Sequence, residues 1–166
     1  MEFRKLTAAD LRSLLALYRQ LDAEDCVCPI EQYEKVWKEI ESNAGIRYFG
    51  AVEDGRVVSA CYAVYIPNLT RGGRGICFIE NVVTDQAHRR RGLASRVIDM
   101  AVAFARERRC YKVILQSGAA RTEAHRFYQS KGFEGESYLF SQRLNRYRRG
   151  VLRPPYGTPQ RCFLSP

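Results

Sequence analysis

The apolar residues of "TAADLRSLLALYRQL" return at helical spacing. Leu11, Leu14, Leu15, Tyr18 and Leu21 share one face, and Thr7 with Asp10 three residues on is a start signal, so a helix is predicted behind Thr7. A short strand, 2–6, precedes it. After the turn-rich "DAEDCVC", Pro29 suits a first helical position, and Ile30, Tyr33, Trp37 and Ile40 make a second apolar stripe. The pattern then changes period. "IRYFGAVED" and "RVVSACYAVYI" flank Asp54-Gly55, the signal of a hairpin between antiparallel strands. Residues 67–75, with three glycines, read as a loop.

"ICFIENVVT" (76–84) is nearly continuous in apolar residues, as expected of a strand covered on both faces. Leu93, Val97, Met100, Ala101 and Phe104 then line one face of a long helix. Arg108 and Arg109 follow at its C-terminal end, where the helix dipole favours cations. "YKVIL" (111–115) predicts another buried strand, "RTEAHRFYQSK" a shorter helix stopped by Gly132, and "YLFSQRL" (138–144) a last strand. The order is an α/β pattern in one domain. Its strand–helix–strand unit over 76–115 should be a right-handed parallel crossover. From Asn145 periodicity is lost and prolines appear, so 145–166 reads as a basic, flexible extension of a core spanning 1–144.

Composition narrows the class. Hydrophobic residues at 46% and charged residues at 27% belong to a soluble globular protein. No apolar run reaches membrane length and "MEFRKLTAADL" is too polar for a signal peptide, so the cytoplasm is the expected location, with no membrane partner. The net charge of +9 is uneven. Six arginines and no acid lie beyond residue 140, and the first 140 residues hold 21 basic against 18 acidic side chains, a net +3. The excess belongs to the tail and gives no reason to expect specific nucleic-acid binding by the domain. Among the six cysteines, Cys61, Cys77 and Cys110 sit in apolar segments, and Cys26 and Cys28 form a C-x-C without the spacing of a zinc site. Reduced thiols and no metal are expected.

"AHRRRGLAS" (87–95) changes the picture. A helix that opens straight off a central strand presents unpaired backbone N–H groups and the positive end of its dipole. Gly92 and Ala94 are small enough to let a phosphate approach, and Arg89, Arg90 and Arg91 add charge. The segment is neither a P-loop nor the dinucleotide fingerprint. Taken alone, it is equally well a basic helix start.

With its flanks, "VVTDQAHRRRGLAS" resembles the acetyl-CoA-binding signature of the GNAT superfamily of N-acetyltransferases, Gln/Arg-x-x-Gly-x-Gly/Ala, with Arg89, Gly92 and Ala94 in the matching places. "AHRFYQSKGF" resembles the superfamily's second signature, with Phe127, Tyr128, Gly132 and Phe133. The separation of the two motifs and the element order from Glu2 to about Leu144 agree as well. The resemblance implies a single-domain GNAT fold, a mixed sheet of about six to seven strands flanked by about four helices. It implies acetyl-CoA as co-substrate, with the pyrophosphate on the backbone of Arg89, Arg90, Arg91, Gly92, Leu93, Ala94 and Ser95. The pantetheine arm would run beside Val82, Val83 and Thr84, where two parallel strands splay apart, and Phe127 would flank the cofactor. Many relatives carry an asparagine near the start of the second helix. Arg121 stands there in this chain, reaching either a phosphate or water. Homodimers are common in the superfamily.

Acetyl transfer to an amine needs a neutral nucleophile, and a lysine-type amine has a pKa of about 10.4. Glu80 is the candidate base, because a carboxylate inside "CFIENVVT" is hard to explain as packing, and its alternative is a salt bridge to a nearby arginine. Asn81 beside it is placed to orient a water or the acceptor. By the resemblance, Tyr128 is the general acid beside the coenzyme sulfur; its alternative is an aromatic core position four residues after Ala124. A backbone N–H near Val82 is the expected oxyanion donor. His88 and His125, the two histidines, show no partner in the sequence and read as surface residues.

The expected activity is therefore N-acetylation of a primary amine, first of all a small molecule. Tyr18, Asp22, Glu24, Asp25, Glu31 and Tyr33 would form an acidic acceptor side suited to a cation. "IEN" and "CYKVIL" faintly resemble glucosamine-phosphate acetyltransferases. A protein N-terminus or lysine is the second choice of acceptor, and a non-catalytic acyl-CoA-binding regulator is the non-enzymatic alternative.

Overall fold

Five strands pair in chain order to make one sheet: β1 (Glu2–Lys5), β2 (Ile46–Glu53), β3 (Arg56–Ile66), β4 (Ile76–Thr84) and β5 (Lys112–Leu115). They are seen in a computed structural model that describes residues 1–23 and 27–135. The first three junctions are antiparallel and β4–β5 is parallel, as the crossover over 76–115 predicts. The expected count of about six to seven strands is too high for the described residues. The segment 138–144, read as a last strand, lies outside them, as does 145–166.

Among the described residues five helices accompany the sheet: α1 (Leu11–Tyr18), α2 (Ile30–Ser42), α3 (Thr70–Gly73), α4 (Leu93–Glu107) and α5 (Thr122–Ser130). α3 is a kinked turn inside the expected loop, with Arg71 and Gly72 in left-handed conformation. Among the described residues no helix is long and apolar enough to cross a membrane.

The sheet is covered on both faces. α4 and α5 cover one, where Val97, Ile98 and Ala101 pack on Phe49, Cys61, Cys77 and Ile79. α1 and α2 lie on the other, where Leu11, Leu14, Leu17 and Trp37 pack on Leu6, Val52, Ala60 and Val83. Burying one such Leu or Val side chain stabilises the fold by about 1.5–3 kcal/mol. Leu21 is not part of this layer. A 3₁₀ turn at Ala8–Asp10 takes up the first residues behind Thr7 and α1 stops at Tyr18, so Leu17 is buried and Leu21 lies exposed beyond the end. Pro29 caps α2 from the position before its first residue. Asp54 and Gly55 both take positive φ and close a two-residue β2–β3 hairpin, as their dipeptide predicts.

The feature that positions the site is a bulge in β4. Ala60 faces Val83 and Tyr62 faces Glu80, so Asn81 and Val82 together oppose Cys61. Asn81 takes φ +50, a left-handed conformation that asparagine tolerates better than most residues. The pleat changes phase there. Ile79 and Val82 both face the α4 layer, and Val83 faces the α1 layer. Pairing with β5 reaches only Ile79–Leu115, so the second half of β4 leaves its parallel neighbour.

Candidate active site

A cleft of about 620 Å³ opens where β4 parts from β5. Val82, Val83 and Thr84 form its strand wall. Arg89, Arg90, Gly92, Leu93, Ala94 and Ser95 form the opposite lip, and Arg121, Ala124, Phe127 and Tyr128 close it from α5. Gln20 and Leu21, beyond the end of α1, complete the lining.

The lip is built to expose backbone donors. Asp85 accepts from the Ala87 N–H at 2.9 Å and holds a 3₁₀ turn over Gln86–His88. The chain then passes through left-handed Arg90 (φ +60) and left-handed Gly92 (φ +75) into α4. The first bond of that helix runs from the Arg96 N–H to the Gly92 carbonyl at 3.2 Å, so the N–H groups just ahead of it lack intrahelical partners. A Cβ added to Gly92 would meet no atom within 4 Å.

The three arginines part company. Arg89 donates to the Thr84 carbonyl at 3.3 Å and still lines the cleft, as does Arg90. Arg91 does not line it, because its guanidinium pairs with Glu53 of β2 at 3.3 Å.

Tyr128 is 7% exposed and packs against Phe127 and Phe133, held by α5 and the turn at left-handed Gly132. Its hydroxyl has no hydrogen bond among the described residues, and burial pushes its pKa up, opposed by nearby Arg121. Core packing and access to the cleft thus coexist in one side chain. Glu80 is half-buried on the α1 side of the sheet, opposite Tyr62, and burial raises its pKa. The salt bridge that served as its alternative does not form among the described residues, where the ion pairs involve other groups. Tyr18 approaches from α1 with a buried hydroxyl beside the Asn81 side chain, and Tyr62 stacks on Tyr48 at 4.8 Å. Glu24 and Asp25 of the acidic acceptor side lie outside the described residues.

His88 corrects the sequence reading. It lines the cleft, and its two ring nitrogens each lie 2.9 Å from a carboxylate, Asp85 and Glu53. Glu53 is 35 residues away, at the end of β2, and no local pattern links the two. His125 is half-buried, with a ring nitrogen 3.0 Å from the Gly118 carbonyl. Cys28, Cys61, Cys77 and Cys110 are free thiols, Cys61 and Cys77 buried in the sheet. Among the described residues no three His, Cys, Asp or Glu side chains are grouped to hold a metal ion.

Residues 10–133 match the acetyltransferase (GNAT) family. The chain belongs to that family. This GNAT acyltransferase is 33% identical over 135 residues to a glucosamine 6-phosphate N-acetyltransferase of Trypanosoma brucei brucei, covering 80% of this chain and 88% of the relative. A solved putative acetyltransferase from Agrobacterium tumefaciens superposes with a TM-score of 0.82 at 35% identity, covering 86% of this chain and 99% of the other. An aminoglycoside N-acetyltransferase solved in complex with CoA shares the GNAT fold at 19% identity, with a TM-score of 0.69 over 86% of this chain and 98% of its own.

Proposed function

We propose that this GNAT member transfers the acetyl group of acetyl-CoA to the primary amine of a small molecule. The observation that carries the reading is the cleft itself. It joins the splayed end of β4, the donor-rich start of α4 and the Tyr128 hydroxyl in one space. CoA in an aminoglycoside acetyltransferase of this fold supports the co-substrate, and the amino-sugar acceptor named for the trypanosomal relative supports a small amine.

Arg89, Arg90 and the backbone of Gly92 to Ser95 bind the pyrophosphate, and Arg121 adds positive charge from α5. Arg91 acts at one remove by engaging Glu53. Val82, Val83 and Thr84 offer backbone groups to the pantetheine amides, and Phe127 packs beside the arm. Glu80, directly or through a water that Asn81 orients, takes the proton from the acceptor amine. The amine nitrogen then bonds to the acetyl carbon, and a backbone N–H near Val82 stabilises the resulting oxyanion. As the carbon–sulfur bond breaks, Tyr128 gives its proton to the departing thiolate.

The test is thiol release from acetyl-CoA across a panel of amines that includes glucosamine 6-phosphate, aminoglycosides and lysine peptides. Turnover confined to small amines supports the reading, and turnover confined to peptides overturns its acceptor. The absence of turnover despite tight acetyl-CoA binding would favour a regulator.

A further inference from the structure

His88 has no part in the reaction just described, yet both of its ring nitrogens are engaged at the edge of the cleft. A neutral imidazole carries one N–H and one lone pair, so between two carboxylates it would turn its lone pair on one of them. An imidazolium donates to both. The 2.9 Å contacts on either side are therefore those of the charged ring, and its hydrogen bond to Asp85, assisted by Glu53, raises the His88 pKa above the ordinary 6.5.

Around it the charges are Asp85 and Glu53, then Arg91 on the far oxygen of Glu53, with Arg89 and Arg90 further along the same turn. From the turn behind α1 comes the neutral Gln20, which donates to Asp85 at 2.7 Å and accepts from the Gln86 N–H at 3.0 Å. The turn is thus fastened to β2 through His88 and to the segment behind α1 through Gln20.

We propose that His88 is a positioning residue for the co-substrate: gripped by Asp85 and Glu53, its imidazolium holds the turn that presents the start of α4 to the pyrophosphate, and acetyl-CoA affinity falls when the ring loses its proton. Two effects act in the same direction. Deprotonation breaks one tie to the turn, and it removes a positive charge from between two carboxylates beside a polyanion. The inference rests on the cofactor placement proposed above. By sign, a raised pKa means that the tie is complete at low pH and is lost as pH rises through the raised value.

The full chain has two histidines, so a His125→Gln variant assigns the His88 ring resonances without ambiguity. Acetyl-CoA is the probe, because its sulfur does not titrate and the second pKa of a phosphate monoester, about 6, lies below the window. The His88 midpoint should lie above 6.5 in the free protein and rise further with acetyl-CoA bound, as linkage requires. Each unit of that rise corresponds to a tenfold weakening of affinity across the transition, about tenfold in all. His88→Gln should bind weakly and without this pH dependence, and Glu53→Gln should move both transitions to lower pH.

An acetyl-CoA-independent midpoint, with identical affinity profiles in the wild type and His88→Gln, overturns the inference while leaving the cofactor reading intact. Failure of the wild type to bind acetyl-CoA at any pH overturns both. Melting without ligand shows that the variants are folded.

Discussion

Glu80 stands opposite Tyr62 in the β3–β4 ladder, and no cation pairs with its carboxylate among the described residues. Burial raises its pKa, which is the direction a base needs in order to work closer to neutrality. Glu80→Gln should lower kcat/KM at neutral pH by about 10²-fold and by less at high pH, where more of the acceptor is already neutral. A loss of equal size at every pH would make Glu80 a positioning group. The same shift has a cost to the fold: a carboxyl with a raised folded pKa destabilises the native state once pH exceeds its unfolded value. The Gln variant should therefore melt slightly higher at pH 7 while working worse.

Tyr128→Phe keeps the ring that packs on Phe127 and Phe133 and removes only the unbonded hydroxyl. Acetyl-CoA affinity should stay near wild type while single-turnover acetyl transfer falls by about 10²-fold, the lower end for general acid catalysis, because a thiolate leaves fairly well unaided. Calorimetry and rapid-quench transfer measure the two quantities separately. Wild-type transfer rates would reduce Tyr128 to a core residue.

Gly92 holds φ +75 where α4 begins, lines the cleft, and leaves an added Cβ in open space. Gly92→Ala should cost about 1–2 kcal/mol of stability from backbone strain alone. Gly92→Glu adds bulk and negative charge, so the rise in Tm that acetyl-CoA gives the wild type should vanish. A folded Gly92→Glu variant with an undiminished shift would put the pyrophosphate elsewhere.

Asp10 is 5% exposed and serves two ends of one connection. It takes a two-pronged pair from Arg4 of β1 at 2.7 and 2.8 Å, and the Thr7 N–H at 2.8 Å. Asp10→Asn should cost about 2 kcal/mol, the scale of hydrogen bonds to a charged group. The Arg4 hydrogen bonds hold the Asp10 pKa below its ordinary 3.8. Its contribution is therefore complete above that value and lost as pH falls through the depressed one. Urea melts of wild type and variant should converge in stability toward low pH.

Local signals carried much of this architecture. The helical stripes of α2 and α4, the Asp54-Gly55 hairpin and the glycine stop behind α5 each depend on residues a few positions apart, and all are visible in the chain. Apart from Arg91, the cleft residues at 89–95 and those within 121–128 were legible for the same reason, since each lip is one continuous segment. What escaped detection depends on distant partners. The carboxylate on His88 and the diversion of Arg91 both come from Glu53, brought close by β2–β3–β4 pairing. The apolar stripe that runs from Leu11 to Leu21 outlasts the helix itself, since α1 stops at Tyr18 and leaves Leu21 apolar but exposed beyond its end.

The extra residue in β4 gives the strand two independent phases. Its first half, Ile76–Ile79, is bound in register to β3 and β5 and answers to the core. Its second half is attached through a joint at Asn81 and touches β5 nowhere in that register. Substitutions beyond the joint can therefore reshape the cleft wall without forcing the core half to slip. Deleting Asn81 would leave Val82 and Val83 on their present faces, since plain alternation after Ile79 and Glu80 gives the same order, and would remove only the bulge.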